Sequence, residues 1–285
     1  MKIHLAKSAG FCFGVRKAIT IALETVKTKK PIFMLGDIVH NEEVVRQIQR
    51  AGIKKINRLS SGEGKTLLIR AHGCSAKTLK KAIKLGYTII DATCPMVKEI
   101  HAIASKLENR GCQIIIIGDK LHDEVQGIAG GLKSKAIIID KFKNIPLEKI
   151  KHIRRAGVLV QSTQNLDNVR KILNVLRKYI PRVEFHNTIC NPTRIKQGEV
   201  KTMPLENDIM IIIGSKTSAN TKRIYEIAKP LNKHSYWISS AGEIKKTWLN
   251  NAKNAGITAG ASTPESSIKE VIARIKTICA EMRSN

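Results

Sequence analysis

Six short and almost continuously apolar stretches recur along the chain, and they constrain its fold more than any other feature. They lie at residues 31–37, 66–73, 113–119, 156–163, 208–215 and 256–262. Most are followed by a stretch with amphipathic helical spacing, such as residues 42–52 and 264–276. Parallel strands that are covered by helices on both faces have this apolar character. The alternation therefore predicts an α/β fold with mainly parallel sheets.

Three isolated cysteines divide this pattern into thirds. Cys12, Cys94 and Cys190 lie 82 and 96 residues apart, and each precedes one pair of the apolar stretches. Pro95 directly follows Cys94, and Pro192 follows Cys190 by two residues. Because proline suits the first turn of a helix, we expect each cysteine beside a helix N-terminus. There the helix dipole favours a thiolate.

The same spacing predicts three pseudo-symmetric α/β domains of about 90 residues each, an ordinary domain size. Their expected bounds are residues 13–95, 96–189 and 190–285, and residues 1–12 are expected to pack against the third domain. Each domain then contributes one cysteine to a common centre.

Polar side chains follow the apolar stretches at the point where each predicted strand ends. In parallel α/β sheets, ligands bind beyond the carboxyl ends of the strands. The residues in question are His40, His72, His122, Glu124, Ser162, Thr163, Ser218, Asn220 and Ser262. These groups can hold an anion or pass a proton, so the strand ends predict a binding site.

The cysteine spacing leaves three interpretations open. Three thiolates can hold an iron–sulfur cluster and leave one iron of a four-iron cluster open to substrate. Zinc is a second possibility, although paired ligands at CxxC or HxxxH spacing are missing from the sequence. The third is that the cysteines are small buried residues, which is how Cys74, Cys112 and Cys279 are also interpreted. The role of Glu124 is also left open: it is either a proton donor or an ordinary glutamate in the first turn of a helix.

The net charge of the chain indicates what kind of molecule it binds. The chain has 50 Lys and Arg against 23 Asp and Glu, a net charge of +27. Nucleic-acid binding is disfavoured because aromatic residues make up only 4% of the chain and no basic tail or RNA-binding motif accompanies the charge. An anionic substrate or an acidic protein partner fits better. No apolar stretch has the length of a membrane span or a signal peptide, so we expect a cytoplasmic protein without membrane association.

Nine motifs in order resemble the 4-hydroxy-3-methylbut-2-enyl diphosphate reductase family of the non-mevalonate isoprenoid pathway. They are "AGFCFGV", "VHNEEVV", "RAHG", "DATCP", "HDEVQG", "QST", "IC" with Thr193 and Gln197, "GSKTSAN" and "GAS". The resemblance runs from Lys2 into the final predicted helix. It implies a monomer in which three α/β domains form a cloverleaf around one [4Fe–4S] cluster.

The resemblance also implies residue roles. Cys12, Cys94 and Cys190 correspond to the three cluster ligands, with one iron left open for the substrate's hydroxyl. Glu124 corresponds to the essential acid, and Ser162 and Thr163 to a threonine pair. The residues that correspond to the diphosphate pocket are His40, His72, His122, Ser218, Asn220 and Ser262. The implied reaction is a two-electron, two-proton reductive dehydroxylation to isopentenyl and dimethylallyl diphosphates. The implied electron donor is an acidic ferredoxin or flavodoxin.

Some positions depart from the usual family pattern. Asp123 stands for proline, Ile128 for threonine, Ser162 for threonine, Pro192 for alanine, Lys196 for arginine and Ala219 for serine. None of these positions is a predicted cluster ligand. The rival functions are a zinc hydrolase that uses the three histidines and an RNA-binding protein attracted by charge.

Overall fold

The computed structural model describes residues 1–28 and 31–282, which contain twelve strands and eleven α-helices. The strands are β1 (Lys2–Leu5), β2 (Ile32–Leu35), β3 (Ile53–Ile56), β4 (Thr66–Ile69), β5 (Thr88–Asp91), β6 (Gln113–Ile117), β7 (Ile137–Ile139), β8 (Arg155–Val160), β9 (Arg182–Phe185), β10 (Ile209–Ile213), β11 (Ser235–Ile238) and β12 (Asn254–Ala259). The helices are α1 (Phe13–Thr28), α2 (Glu42–Arg50), α3 (Ala76–Lys84), α4 (Pro95–Asn109), α5 (Asp123–Ala129), α6 (Leu147–Ile150), α7 (Leu166–Tyr179), α8 (Asn191–Glu206), α9 (Ala219–Leu231), α10 (Lys246–Leu249) and α11 (Glu265–Glu281).

The strands form three four-stranded sheets, and every pairing in them is parallel. The strand orders are β3-β2-β4-β5, β7-β6-β8-β9 and β11-β10-β12-β1. The first two sheets take their strands from consecutive chain, whereas the third takes its last strand from the N-terminus, where Lys2 is opposite Asn254 and Leu5 opposite Ile257. The predicted parallel α/β fold class is confirmed.

All six predicted strands are present, and they are the two central strands of each sheet. The outer strands, which the apolar pattern did not predict, lie at the edges. For example, β3 reads Ile-Lys-Lys-Ile and only its first residue is buried, while all four residues of β4 are buried. An edge strand has one neighbour and a solvated flank, so it needs no continuous apolar run.

The described residues separate into two compact units. Unit 1 comprises residues 1–15, 40–44 and 191 onward, and unit 2 comprises residues 16–39 and 45–190. The core of unit 1 contains Ile211, Ile257 and Ile275, and a core cluster of unit 2 is built around Ile115 and Val158. The three-domain bounds stay a prediction, and the last three residues of the expected third domain lie outside the described residues.

Several helices are amphipathic and begin with a side-chain cap. In α7, Val169, Ile172 and Leu176 are buried, and the Asn165 side chain accepts hydrogen bonds from the first-turn amides. Such capping satisfies backbone donors that have no partner inside the helix. Among the helices of residues 1–28 and 31–282, none combines the length and apolarity that crossing a membrane requires.

Candidate active site

Each of the three predicted ligand cysteines lies at the start of a helix. Cys12 directly precedes α1, Cys94 is the N-cap of α4 with Pro95 at its first position, and Cys190 directly precedes α8. The predicted placement beside helix N-termini is therefore confirmed. All three side chains are partly exposed. The helix dipole at each place stabilises a thiolate and any anionic group that it binds.

The same backbone hydrogen bond holds each cysteine beside a strand end of its own unit. In every case the cysteine N–H donates to the carbonyl of the second residue beyond a central strand. The bonds run from Cys12 to Ala261 after β12 (3.1 Å), from Cys94 to Ala71 after β4 (3.0 Å) and from Cys190 to Ser162 after β8 (3.1 Å). The repetition shows that the three cysteines occupy equivalent places in the three sheets.

Glu124 lies in the first turn of α5 and is 1% exposed. Its Oε1 accepts the backbone N–H of Ser162 at 2.6 Å, and its Oε2 accepts the Ser162 hydroxyl at 2.7 Å. Burial raises the pKa of Glu124, and the two hydrogen bonds from Ser162 act in the opposite direction. A buried carboxyl with a raised pKa is suited to hold and release a proton.

His122 caps the helix that carries Glu124. Its Nδ1 accepts the backbone N–H of Glu124 at 3.2 Å. The neutral imidazole therefore carries its hydrogen on Nε2, which is a donor. The ring of His72, from the loop after β4, packs edge-on against His122 with 5.4 Å between the ring centroids. Two predicted anion-binding histidines are thus brought together in unit 2.

Two further side chains, Arg70 and Gln161, form hydrogen bonds in the loops of unit 2 that carry site residues. Arg70 Nη1 donates to Asp123 Oδ2 at 2.6 Å, so the aspartate in the proline position of the family pattern forms an ion pair. Gln161 is fully buried; its Oε1 accepts the Asp119 N–H at 2.8 Å, and its Nε2 donates to Thr163 Oγ1 at 3.0 Å. Sequence analysis did not single out Gln161, because a neutral amide after a strand indicates no particular chemistry.

In unit 1, the predicted polar residues surround the loop after β12. Asn220 is 4% exposed and its Oδ1 accepts the Ala261 N–H at 2.9 Å. Its Nδ2 is buried and has no hydrogen-bond partner among the described residues. The Ser262 hydroxyl donates to the His40 carbonyl at 3.0 Å, and the buried Ser218 hydroxyl oxygen caps α9 by accepting the Thr221 N–H at 3.3 Å. The buried amide of Asn220 is suited to donate to an anion.

The site residues divide between the units. Unit 1 contains Cys12, His40, Ser218, Asn220 and Ser262, and unit 2 contains His72, Cys94, His122, Glu124, Ser162, Thr163 and Cys190. Of the remaining cysteines, Cys112 and Cys279 pack in apolar clusters. Burial raises the pKa of the Cys74 thiol, which disfavours its thiolate.

Comparisons with known proteins agree on one family. The model of the LytB protein family matches residues 3–276. Proteins named 4-hydroxy-3-methylbut-2-enyl diphosphate reductase are similar along nearly the whole chain. The one from Aquifex aeolicus is 38% identical over 281 residues, covering 97% of this chain and 96% of that protein. The one from Geobacter metallireducens is 36% identical over 279 residues, covering 98% of each.

Solved structures agree with the sequence comparisons. A structure of (E)-4-hydroxy-3-methyl-but-2-enyl diphosphate reductase, described as the terminal enzyme of the non-mevalonate pathway, is 37% identical with a TM-score of 0.71 and covers 97% of this chain and 100% of that one. The structure of E-1-hydroxy-2-methyl-but-2-enyl-4-diphosphate reductase from Plasmodium falciparum is 27% identical with a TM-score of 0.87, covering 95% of this chain and 87% of that one.

Proposed function

The chain belongs to the LytB protein family, and from this premise we propose that it is a 4-hydroxy-3-methylbut-2-enyl diphosphate reductase. The reaction removes the substrate's allylic hydroxyl as water, with two electrons and two protons, and gives isopentenyl and dimethylallyl diphosphates. The observation that carries the residue assignment is the equivalent placement of the three cysteines, each at a helix start and each bonded to a strand-end loop.

Cys12, Cys94 and Cys190 hold one [4Fe–4S] cluster per chain in this proposal. Two features support that ligand set. Each cysteine lies at the N-terminus of a helix, and the helix dipole there favours the thiolate that iron requires. Gly10, two residues before Cys12, has a φ of +94°, a conformation that strains any side chain, and an added Cβ would lie 3.3 Å from Ile268 Cδ1. When bound, the cluster would pass the two electrons one at a time from an external donor and, through an iron without a cysteine ligand, would act as a Lewis acid for the hydroxyl oxygen.

In this proposal, neutral hydrogen-bond donors bind the substrate's diphosphate. In unit 2, the Nε2–H of His122 and the ring of His72 are the donors, and Thr163 adds a hydroxyl. In unit 1, the Nδ2 of Asn220 is the donor that has no partner among the described residues. Ser218 uses its oxygen as a helix cap, so its hydroxyl hydrogen is available for a phosphate oxygen. Ser262 and His40 complete the set.

Glu124 supplies a proton in this reaction. Its burial keeps the carboxyl protonated to higher pH than an exposed glutamate, and the Ser162 hydroxyl fixes the orientation of the group. Protonation of the departing hydroxyl converts a poor leaving group into water. The second proton ends on carbon in the product.

The net charge of +27 suits an acidic electron donor of the ferredoxin or flavodoxin type. Opposite charges raise the rate of encounter, and salt screens this effect. Reduction by such a donor should therefore slow as ionic strength rises. A monomeric state and a cytoplasmic location are further parts of the proposal.

Anaerobic turnover tests this function. The protein, purified without oxygen and reduced with a chemical reductant and a viologen dye, is given the hydroxylated allylic diphosphate. We expect a brown protein with about four irons per chain, the content of one such cluster, and release of both isoprenyl diphosphates. A colourless protein that contains zinc and does not consume the substrate would contradict the proposal.

A further inference from the structure

The segment between β1 and α1 carries Cys12, and it is hydrogen-bonded to β12 and to the loop that follows β12. The N–H of Ala6 donates to the Ile257 carbonyl at 2.8 Å, and the N–H of Cys12 donates to the Ala261 carbonyl at 3.1 Å. Between these points the backbone turns at Gly10, whose left-handed φ of +94° is accessible to few residues other than glycine. Side chains of α8 make further contacts with this segment.

Lys196 supplies such contacts from the second turn of α8. The side chain is 1% exposed, and its ammonium donates to the carbonyl of Ser8, to that of Gly10 at 3.1 Å and to that of Ala259 at 3.1 Å. An ammonium has three N–H donors, and here three carbonyls accept them. Two of these carbonyls belong to the Cys12 segment and the third ends β12, so one buried cation joins the segment to the strand.

Glu199, one turn further along α8, contacts the same segment with the opposite charge. Its two carboxylate oxygens accept the Ser8 N–H at 3.2 and 3.3 Å, and one of them also accepts the Ser8 hydroxyl. The N–H, the hydroxyl and the carbonyl of Ser8 are therefore all bonded to two side chains of α8. Placing a charge inside a protein is costly unless the charged group is fully hydrogen-bonded. The Lys196 ammonium and the Glu199 carboxylate meet this requirement, because both are hydrogen-bonded to Ser8.

We propose that Lys196, supported by Glu199, is a positioning residue for the cluster ligand Cys12. This inference rests on the proposed function, because it assigns Cys12 as a ligand. Lys196 acts through the backbone of Ser8 and Gly10: it keeps the segment in the conformation that brings Cys12 to the start of α1. The lysine stands where the family pattern usually has arginine, so the cation is retained while its shape differs.

The test compares three variants of the anaerobically purified holoenzyme. Lys196→Met removes the ammonium and keeps the length of the side chain, Lys196→Arg restores a cation, and Lys222→Met alters an exposed lysine of α9 in the same unit. The measurements are iron and acid-labile sulfide per chain, the rate at which the cluster absorbance bleaches in air, and alkylation of Cys12 relative to Cys94 by iodoacetamide, read by peptide mass spectrometry.

For Lys196→Met we expect bleaching to be about tenfold faster, equivalent to about 1.4 kcal/mol, and the alkylation of Cys12 relative to Cys94 to rise by a similar factor. Lys196→Arg should restore most of the difference, and Lys222→Met should match the parent protein. A Lys196→Met protein with a lower melting temperature but with parental bleaching and an unchanged alkylation ratio would overturn the positioning role.

Glu199→Gln is a fourth variant, used in case Lys196→Met does not fold. Its half-buried side chain keeps one acceptor for Ser8 and loses the charge, so a smaller rise in the same alkylation ratio is expected. A parental ratio in Glu199→Gln would then overturn the proposal. Failure of the proposed function is distinguishable, because the parent protein itself would contain no iron–sulfur cluster.

Discussion

Glu124 and Asn220 occupy the same place in two different sheets. Each is the second residue of the helix that follows the first central strand of its sheet, α5 after β6 and α9 after β10. Each side chain accepts the backbone N–H of the residue two positions beyond the other central strand, Ser162 in one sheet and Ala261 in the other. Both residues therefore make the same hydrogen bond at equivalent positions of the fold.

The difference lies in the second polar atom of each side chain. The second oxygen of Glu124 is taken by the Ser162 hydroxyl, whereas the Nδ2 of Asn220 has no partner among the described residues. In the remaining sheet, the corresponding loop residue Ala71 donates instead to the backbone carbonyl of Ile38 at 3.0 Å. The equivalent hydrogen bond is therefore made by a carboxyl group in one sheet and by an amide group in a second. In the third sheet a backbone carbonyl takes its place, so neither group is used.

Replacing the acid by an amide should have the largest effect. Glu124→Gln keeps an acceptor for the Ser162 N–H but cannot deliver a proton. We expect kcat to fall by about 100-fold or more, the range of general acid catalysis, while iron content and cluster absorbance stay parental. Anaerobic turnover and visible spectra measure both. Turnover within a few fold of the parent protein would exclude Glu124 as the acid.

The same variant tests the raised pKa of Glu124 by stability. A carboxyl whose folded pKa lies above its unfolded value of about 4.5 binds more protons in the folded state within that window, so stability falls as pH rises through it. Glu124→Gln lacks this loss. We expect its free energy of unfolding relative to the parent protein to increase from acidic to neutral pH, as urea titrations would show. A difference that does not change with pH would contradict the raised pKa.

Replacing the amide by an acid is the converse change. Asn220→Asp keeps the acceptor for Ala261 but replaces the Nδ2 donor with an anionic oxygen. If this amide holds the diphosphate, we expect KM to rise by about tenfold or more, equivalent to about 1.4 kcal/mol, with little change in melting temperature. Asn220→Ala is the matched comparison, because it also removes the acceptor and should lower stability. An unchanged KM in Asn220→Asp would remove this residue from the binding site.

A smaller effect is expected at Ser162. Ser162→Ala removes the hydroxyl bond that lowers the pKa of Glu124, so the pKa should rise further and the alkaline limb of the kcat/KM profile should move to higher pH. The buried oxygen left without this donor costs about 1–3 kcal/mol of stability. Ser162→Thr keeps the hydroxyl and serves as the control. A profile of Ser162→Ala that coincides with that of Ser162→Thr would contradict this account.

The smallest effect is expected for the ion pair of Asp123 with Arg70, because both side chains are partly exposed. Asp123→Asn should lower kcat/KM by about fivefold at most, equivalent to about 1 kcal/mol. The loss should shrink at high salt, since solvent ions screen partly exposed pairs. Glu148→Gln, which breaks the exposed pair with Lys151, is the control and should leave kinetics unchanged. A salt-independent loss would show that Asp123 acts in another way.

Much of the fold could be predicted because the sequence patterns that indicate it are local. The central strands are buried on both faces and therefore read as apolar runs, and the helix start at Pro95 follows from the conformation of proline itself. The cysteines could be found as candidates because their spacing follows the repeat. Gln161 and Lys196 could not, since a buried amide and a buried lysine have the same sequence context as exposed ones.

The sequence by itself determined the parallel α/β class, the central strands, and the places of the cysteines at helix starts, because each depends on neighbours within one or two turns of chain. Only the tertiary structure decided that Glu124 meets Ser162 across 38 residues, and that the Lys196 ammonium reaches Gly10 across 186. It also decided that the N-terminal strand completes the third sheet. Such contacts depend on the free energy of the whole packed core, and a short sequence pattern does not contain that information.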